Sequence, residues 1–166
     1  MTTYNVPAML ENMAKQLREN CEGQDPLMIG IHTGGVWVAE QLHALMNLSQ
    51  PLSSLNISFY RDDFTRIGMH PQVSPSKIIG AIEDQPIILV DDVLFTGRTI
   101  RAALNEIFDY GRPSSIQLAV LLDRGGRELP IQADVVGQHI ALEQGQQIKL
   151  SGPSPLDLTI ITPKDV

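Results

Sequence analysis

The sequence predicts an α/β domain built on a doubly wound, mainly parallel sheet. Three observations carry this expectation. Short apolar runs alternate with stretches of helical period through the first 123 residues. The strongest run, Pro86-Ile-Ile-Leu-Val90, is too continuous for a strand with one wet face. The chain's 166 residues make one domain, spanning 1–166, the default. Ligands in such sheets gather beyond the carboxyl ends of the strands. Thr33, Arg61, Asp91 and Asp123 each stand at an expected strand end, so chemistry is sought there.

Each element has its own signal. Met9, Leu10, Met13, Ala14 and Leu17 recur at helical spacing and predict a helix over 7–19. Leu27-Met-Ile-Gly-Ile31 reads as a buried strand, and Thr33-Gly34-Gly35 turns it into a second helix, about 36–46. Leu55 to Tyr60 alternates and reads as a strand. From Arg61 to Gln85 the periodicity is weak, and a loop this long is functional or mobile. Its middle, about 64–82, is expected to be flexible. After Pro86–Val90, a stripe of Ile100, Ala103, Leu104, Ile107 and Phe108 predicts a helix that Gly111 and Pro113 end. Ile116–Leu122 is another buried strand, and Val135–Val136, Ile148–Leu150 and Leu158–Ile161 are shorter ones.

Composition excludes several functions. Twelve Lys and Arg against 19 Asp and Glu leave a net charge of −7, so a basic footprint over the whole surface is missing. Arg98, Arg101, Arg112, Arg124 and Arg127 nevertheless fall in one stretch, which leaves room for a local basic patch. Aromatic residues make up 5%, too few for a base-stacking platform. A lone cysteine, Cys21, excludes an internal disulfide framework. No apolar run approaches the roughly 20 residues of a membrane span and no signal pattern opens the chain, so a cytoplasmic location is expected.

The informative segment is Ile87-Ile-Leu-Val-Asp-Asp-Val-Leu-Phe-Thr-Gly-Arg-Thr99. Four apolar residues bury a strand, and two adjacent carboxylates emerge at its tip. Thr96, Gly97 and Thr99 then lead into a helix N-terminus, whose unpaired amides and positive end suit a phosphate. Carboxylates beside such a cradle repel phosphate but suit hydroxyl groups, a divalent cation or a developing positive charge. A sugar phosphate satisfies both halves.

This segment resembles the signature of type I phosphoribosyltransferases. The resemblance implies that Asp91 and Asp92 hold the ribose hydroxyls of phosphoribosyl pyrophosphate (PRPP). It implies that Val93, Leu94, Phe95, Thr96, Gly97, Arg98 and Thr99 form the loop for PRPP and its 5-phosphate. Tyr60-Arg-Asp-Asp63, Gly111-Arg-Pro-Ser-Ser-Ile-Gln-Leu-Ala-Val120, Asp123-Arg-Gly and Arg127-Glu-Leu-Pro-Ile131 further resemble the PyrR family. These are pyrimidine operon attenuation proteins that are also uracil phosphoribosyltransferases. The likeness spans about residues 27–140 and implies a phosphoribosyltransferase core with a small hood, as a homodimer or homotetramer. It implies that uracil and PRPP give UMP and pyrophosphate, with Mg²⁺ accompanying PRPP and meeting Asp91 and Asp92 indirectly. Fixed negative charge from Asp91 and Asp92 would favour an oxocarbenium-like ribosyl centre. Arg61 is the catalytic candidate for leaving-group charge, Thr33, Gly34 and Gly35 for the pyrophosphate loop, and Arg124, Leu129, Ile131 and Val136 for uracil. Arg66 and Lys77 are candidate pyrophosphate contacts.

Two departures open alternatives. The family loop typically reads Thr-Arg-Gly where this chain has Thr33-Gly34-Gly35, so a cation is missing. One charge-assisted contact to phosphate is worth about 1.5–3 kcal/mol, so a nucleotide-sensing pyrimidine regulator with weak or no transferase activity is the alternative reading. On that view an arginine at position 34 should raise turnover. A transferase acting on another base is a third reading, opposed by the Asp123–Ile131 match. For RNA, relatives use basic residues on the first helix and around the Asp-Arg-Gly loop. Here Glu11, Glu19 and Glu22 outnumber Lys15 and Arg18, and Gly126 stands where a histidine is common. Binding of a pyrimidine-operon messenger RNA leader is therefore a lesser expectation than the fold.

Overall fold

A computed structural model describes residues 2–57 and 75–163. Helix α1 (Val6–Asn20) opens on Asn5, whose side-chain oxygen accepts from the Ala8 amide at 3.1 Å, with Pro7 in the first turn where its missing N–H is harmless. It buries Val6, Leu10, Met13, Ala14 and Leu17, one stripe of a 3.6-residue period.

The sheet has five parallel strands in the order β2-β1-β3-β4-β5. They are β1 (Leu27–Ile31), β2 (Ser53–Leu55), β3 (Pro86–Leu94), β4 (Ser115–Asp123) and β5 (Val135–His139). Helix α2 (Gly34–Met46) links β1 to β2, and α3 (Arg98–Tyr110) links β3 to β4. Side chains along each strand alternate between two apolar layers, as the pleat requires. Met28, Ile88, Val90, Ala119 and Leu121 pack with α1 and α2. Leu27, Ile29, Ile87, Leu89, Leu118 and Val120 pack with α3. Helices on both faces explain why the strands read as unbroken apolar runs.

A second, antiparallel pair, β6 (Gln147–Ser151) and β7 (Asp157–Ile161), is the other sheet among the described residues. It reaches the α1–α2 layer through Ile148, Leu150, Leu156 and Leu158. Between its strands Gly152 faces Trp37 of α2, so closely that a Cβ there would stand 2.8 Å from the ring.

Three elements differ from their sequence-based expectations. The strand expected at 55–60 is found at Ser53–Leu55, with 58–60 outside the described residues. Its ladder stops because the Asn56 amide donates to Ser76 Oγ (2.8 Å) instead of to a neighbouring strand. Strand β3 runs on through Asp91 and Asp92 to Leu94, because β4 keeps pairing with it as far as Leu94↔Asp123. The carboxylates thus belong to the strand and do not merely follow it. Phe108, counted in the apolar stripe of α3, is 57% exposed, since the buried face of that helix is filled by Ile100, Ala102, Ala103 and Ile107.

Leu89 is fully buried beneath α3. Leu89→Ala should cost about 2–5 kcal/mol of stability, seen as a lower urea midpoint at an unchanged slope.

Candidate active site

Strand β1 pairs with β3 only as far as Gly30↔Val90, whereas β3 continues beside β4 for several residues more. The chain leaves β1 through α2 toward β2, away from β3, so the two strands part beyond Val90. This is the switch point of a 2-1-3-4-5 sheet, where a crevice opens. Two glycines close its floor. A Cβ on Gly30 would stand 2.9 Å from Ala39 Cβ and from Val36 Cα, and one on Gly35 would stand 2.7 Å from the Val90 oxygen. The start of α2 therefore rests directly on the end of β3. Thr33, its N-cap, makes no side-chain capping bond, and first-turn amides have no intrahelical acceptor. The His32–Thr33 peptide bond at this turn is cis.

Across from that turn lie the carboxylates. Asp91 is 5% exposed, and its Oδ1 accepts from the Asp92 amide at 2.9 Å. Asp92 is half-buried; its Oδ1 accepts from the Val93 amide at 2.8 Å. One oxygen of each carboxylate is thus committed to the strand's own backbone.

Beyond Leu94 the loop Phe95-Thr96-Gly97 enters α3. Thr96 Oγ1 accepts from the Arg98 amide at 3.2 Å. Gly97 has φ +93°, and a Cβ on it would stand 3.3 Å from Ile131 Cβ, so both backbone and space call for glycine. A second loop, 124–131, is stitched to this one. The Glu128 and Leu129 amides donate to the Thr96 oxygen at 2.9 and 3.2 Å, and the Arg124 amide donates to the Leu94 oxygen at 3.1 Å. Arg127 ties three segments together: Nε donates to the Ile131 oxygen (2.8 Å), Nη1 to the Phe95 oxygen (2.9 Å) and Nη2 to Asp123 Oδ2 (2.5 Å). The Arg124 guanidinium lies 3.8 Å over the Phe95 ring. Beside them a groove of about 500 Å³ is lined by Asp123, Arg124, Gly125, Arg127, His139 and Ile140.

A strand carrying paired carboxylates near its end, a glycine-bearing loop entering a helix and a facing amide turn thus meet at one place. The family model described as "Phosphoribosyl transferase domain" matches residues 4–150. The chain is 62% identical to the Bifunctional protein PyrR of Nitrosococcus oceani over 163 residues, 95% of this chain and 92% of that one. It is 53% identical to the Bifunctional protein PyrR of Pseudomonas paraeruginosa over 161 residues, 95% of each chain. The chain belongs to the PyrR family of phosphoribosyltransferases. The fold extends further: a hypoxanthine-guanine phosphoribosyltransferase structure from Bacillus anthracis matches with a TM-score of 0.70 over 84% of each chain at 19% identity.

The PyrR fold brings most of the residues singled out in the sequence to this crevice. Asp91 and Asp92, the turn Phe95-Thr96-Gly97 with Arg98 and Thr99 opening α3, and Thr33, Gly34 and Gly35 surround it on two sides. Val93 and Leu94 instead belong to β3 and pack into its two apolar layers, Leu94 fully buried. Leu129 and Ile131, expected against uracil, pack under Gly97 and shape the loop. Arg124 covers Phe95, and Val136 joins the apolar layer on the α3 side. Arg61 and Arg66 lie outside the described residues. Lys77 pairs through its backbone with Ser54, which pairs with Gly30 and so with Val90. Three strand spacings, about 14 Å, therefore separate the Lys77 backbone from Val90. Cys21 is buried, and burial pushes its thiol pKa up, only partly offset by the Gln117 hydrogen bond.

Sequence reasoning missed the Asp123–Arg127 pair as the joint between the two loops. The signal was an Asp at a strand end with an Arg four residues later across two glycines, Gly125 and Gly126. Burial pushes the Asp123 carboxyl upward, but the Arg127 hydrogen bond, the Gly125 amide and the charges of Arg127 and His139 together outweigh it and hold the carboxyl below its usual range. The linkage has a definite sign: the pair's stabilisation is present above the unfolded value, about 3.9, and is lost as pH falls through the lower folded value. Asp123→Asn should flatten the acid limb of a stability-versus-pH curve measured by urea unfolding. Arg127→Ala should cost about 2–3 kcal/mol, because it leaves the nearly buried Asp123 without its charged partner.

Proposed function

We propose that this chain is a uracil phosphoribosyltransferase, forming UMP and pyrophosphate from uracil and PRPP, and that it couples this site to regulation of pyrimidine biosynthesis genes. One observation carries the reading. The switch-point crevice presents carboxylates from β3 between two amide-rich turns, the start of α2 and the start of α3. PRPP has the matching polarity: a phosphate at one end, a pyrophosphate at the other and hydroxyl groups between. The turn from Phe95 to Thr99 holds the 5-phosphate, with Thr96, Gly97 and Thr99 supplying hydroxyls and a close backbone. Asp91 and Asp92 hold the ribose hydroxyls, and the turn of Thr33, Gly34 and Gly35 receives pyrophosphate.

The reaction is a displacement at the anomeric carbon. Uracil N1 forms a bond to that carbon as the bond to pyrophosphate oxygen breaks, and the N1 proton leaves. Asp91 and Asp92 place fixed negative charge beside the ribosyl centre as it gains positive character. Magnesium fits the donor set, since both residues offer hard carboxylate oxygens. Among the described residues no group of three His, Cys, Asp or Glu forms a metal cage, so Asp91 and Asp92 would meet it together with PRPP. Bound there, Mg²⁺ supplies neutralisation of the pyrophosphate charge. Uracil lies near the open groove edged by Arg124, with Leu129, Ile131 and Val136 retained as its candidate apolar contacts. Arg61 is retained as the candidate for leaving-group charge.

The curated PyrR relatives are named bifunctional, which supports a regulatory role beside the transferase. Contact with a pyrimidine-operon RNA leader would draw on cations outside α1, where Arg18 Nη1 already donates to the Leu45 oxygen at 2.9 Å. A cytoplasmic homodimer or homotetramer is the proposed form. No helix among the described residues is long and apolar enough to cross a membrane.

Purified chain with uracil, PRPP and Mg²⁺ should yield UMP. Absence of UMP with retained UMP binding would replace the enzyme by the nucleotide-sensing regulator. Gly97→Ala strains the left-handed backbone and crowds Ile131, and it should lower kcat/KM for PRPP about a hundredfold. Leader RNA should bind with an affinity that falls as salt rises; a flat response would exclude a phosphate-reading contact.

A further inference from the structure

We propose that Gly34 is a positioning residue: its bare Cα admits the Asp92 carboxylate against the β1–α2 turn and so sets where that carboxylate stands in the crevice. The inference rests on the phosphoribosyltransferase reading for its kinetic consequence, but its structural content stands separately.

The backbone does not require glycine at 34. Its φ lies outside the left-handed range that disfavours side chains, unlike Gly97. Space is what requires it. A Cβ at 34 would overlap Asp92 Oδ2 and stand 2.7 Å from Cγ and 3.1 Å from Cβ of the same residue. Nor can the turn step back. A Cβ built on Gly35, next in the chain, would stand 2.7 Å from the Val90 oxygen and 3.0 Å from Asp91 Cα, so the turn already lies close against the backbone of a central strand. The conflict must be relieved by Asp92, whose Oδ1 is held by the Val93 amide at 2.8 Å. Rotating the carboxylate away breaks that bond. The space beside Gly34 is therefore filled by an anion from the neighbouring strand, at the start of a helix where a carboxylate is favoured. An arginine at 34 would displace Asp92 before it could serve pyrophosphate.

The test uses the full chain with Gly34→Ala, Gly34→Arg and Asp92→Asn, singly and with each Gly34 variant combined with Asp92→Asn. Steady-state kinetics, calorimetric PRPP binding in Mg²⁺, urea unfolding and a crystal structure of Gly34→Ala are the measurements. Gly34→Ala is expected to lower kcat roughly tenfold to a hundredfold, with KM for uracil unchanged. The double variants should be no slower than Asp92→Asn alone, since both changes act through one carboxylate. Gly34→Arg should not raise turnover. Wild-type kcat in Gly34→Ala, additive losses in the double variants, or faster turnover in Gly34→Arg would each overturn the proposal. If the unsubstituted chain makes no UMP, the transferase reading fails and the crystal structure decides this inference. A rotated Asp92 that has lost the Val93 amide supports it, and an unmoved one overturns it. Should Gly34→Ala fold poorly, Asp92→Ala in the same chain should restore the urea midpoint by removing the overlap; no recovery would overturn the proposal.

Discussion

The close seating of α2 on the carboxyl end of β3 is the constraint from which the site follows. A helix beginning over a strand is normally held off by the side chains between them. Here Gly35 removes the side chain between α2 and the end of β3, where a Cβ would stand 2.7 Å from the Val90 oxygen, and Gly30 does the same between α2 and the neighbouring strand β1. The first turn of α2 then lies beside Asp91 and Asp92, and the strands β1 and β3 part where a ligand can enter. Because close packing on both sides of the sheet anchors α2 and β3, the distance between amide turn and carboxylates is set by the core. The site is rigid for the same reason that the sheet is stable.

The other wall of the crevice is built on a different principle. Its loop has little apolar anchorage, with Phe95 44% exposed, and is held by polar ties to the loop 124–131. Arg127 reaches acceptors on three segments, and a planar guanidinium can do so where a lysine could not. Arg98 and Glu128 also pair, at 2.6 Å, but both are more than half exposed and the pair contributes little. Thus the loop 95–97 takes its position in part from a partly buried ion pair at Asp123. Gly126 fits this wall too: a Cβ there would stand 2.6 Å from the Phe95 ring, so the ring lies close against the bare backbone.

Much of this was legible along the chain, and the reasons differ by element. Leu27–Ile31 was readable to the residue because a strand buried on both faces admits no polar position, and turn residues bound it. Helix α1 was readable because its solvent face is polar and its buried stripe is periodic. Strand β2 was misplaced because Leu55 to Tyr60 alternates, yet pairing depends on where β1 and Lys77 offer partners, and they do so at Ser54. Strand β3 was cut short because two carboxylates look like an exit from a strand. Only β4, paired alongside, keeps them in it.

The resemblance of Ile87–Thr99 to a known signature pointed to the phosphoribosyltransferase class, and by itself the sequence determined the alternation of strands and helices and the pairing of adjacent carboxylates with a glycine-bearing loop. Those properties reside in the period and chemistry of neighbouring residues, which local sterics and hydrophobic burial translate directly into structure. The tertiary structure alone decided that Gly34 is occupied space, that Arg127 joins two loops and that Lys77 stands across the sheet from the carboxylates. Each of these is a distance between residues far apart in the chain. Such distances are set by how close-packed layers come to rest on one another, a quantity that no local pattern encodes.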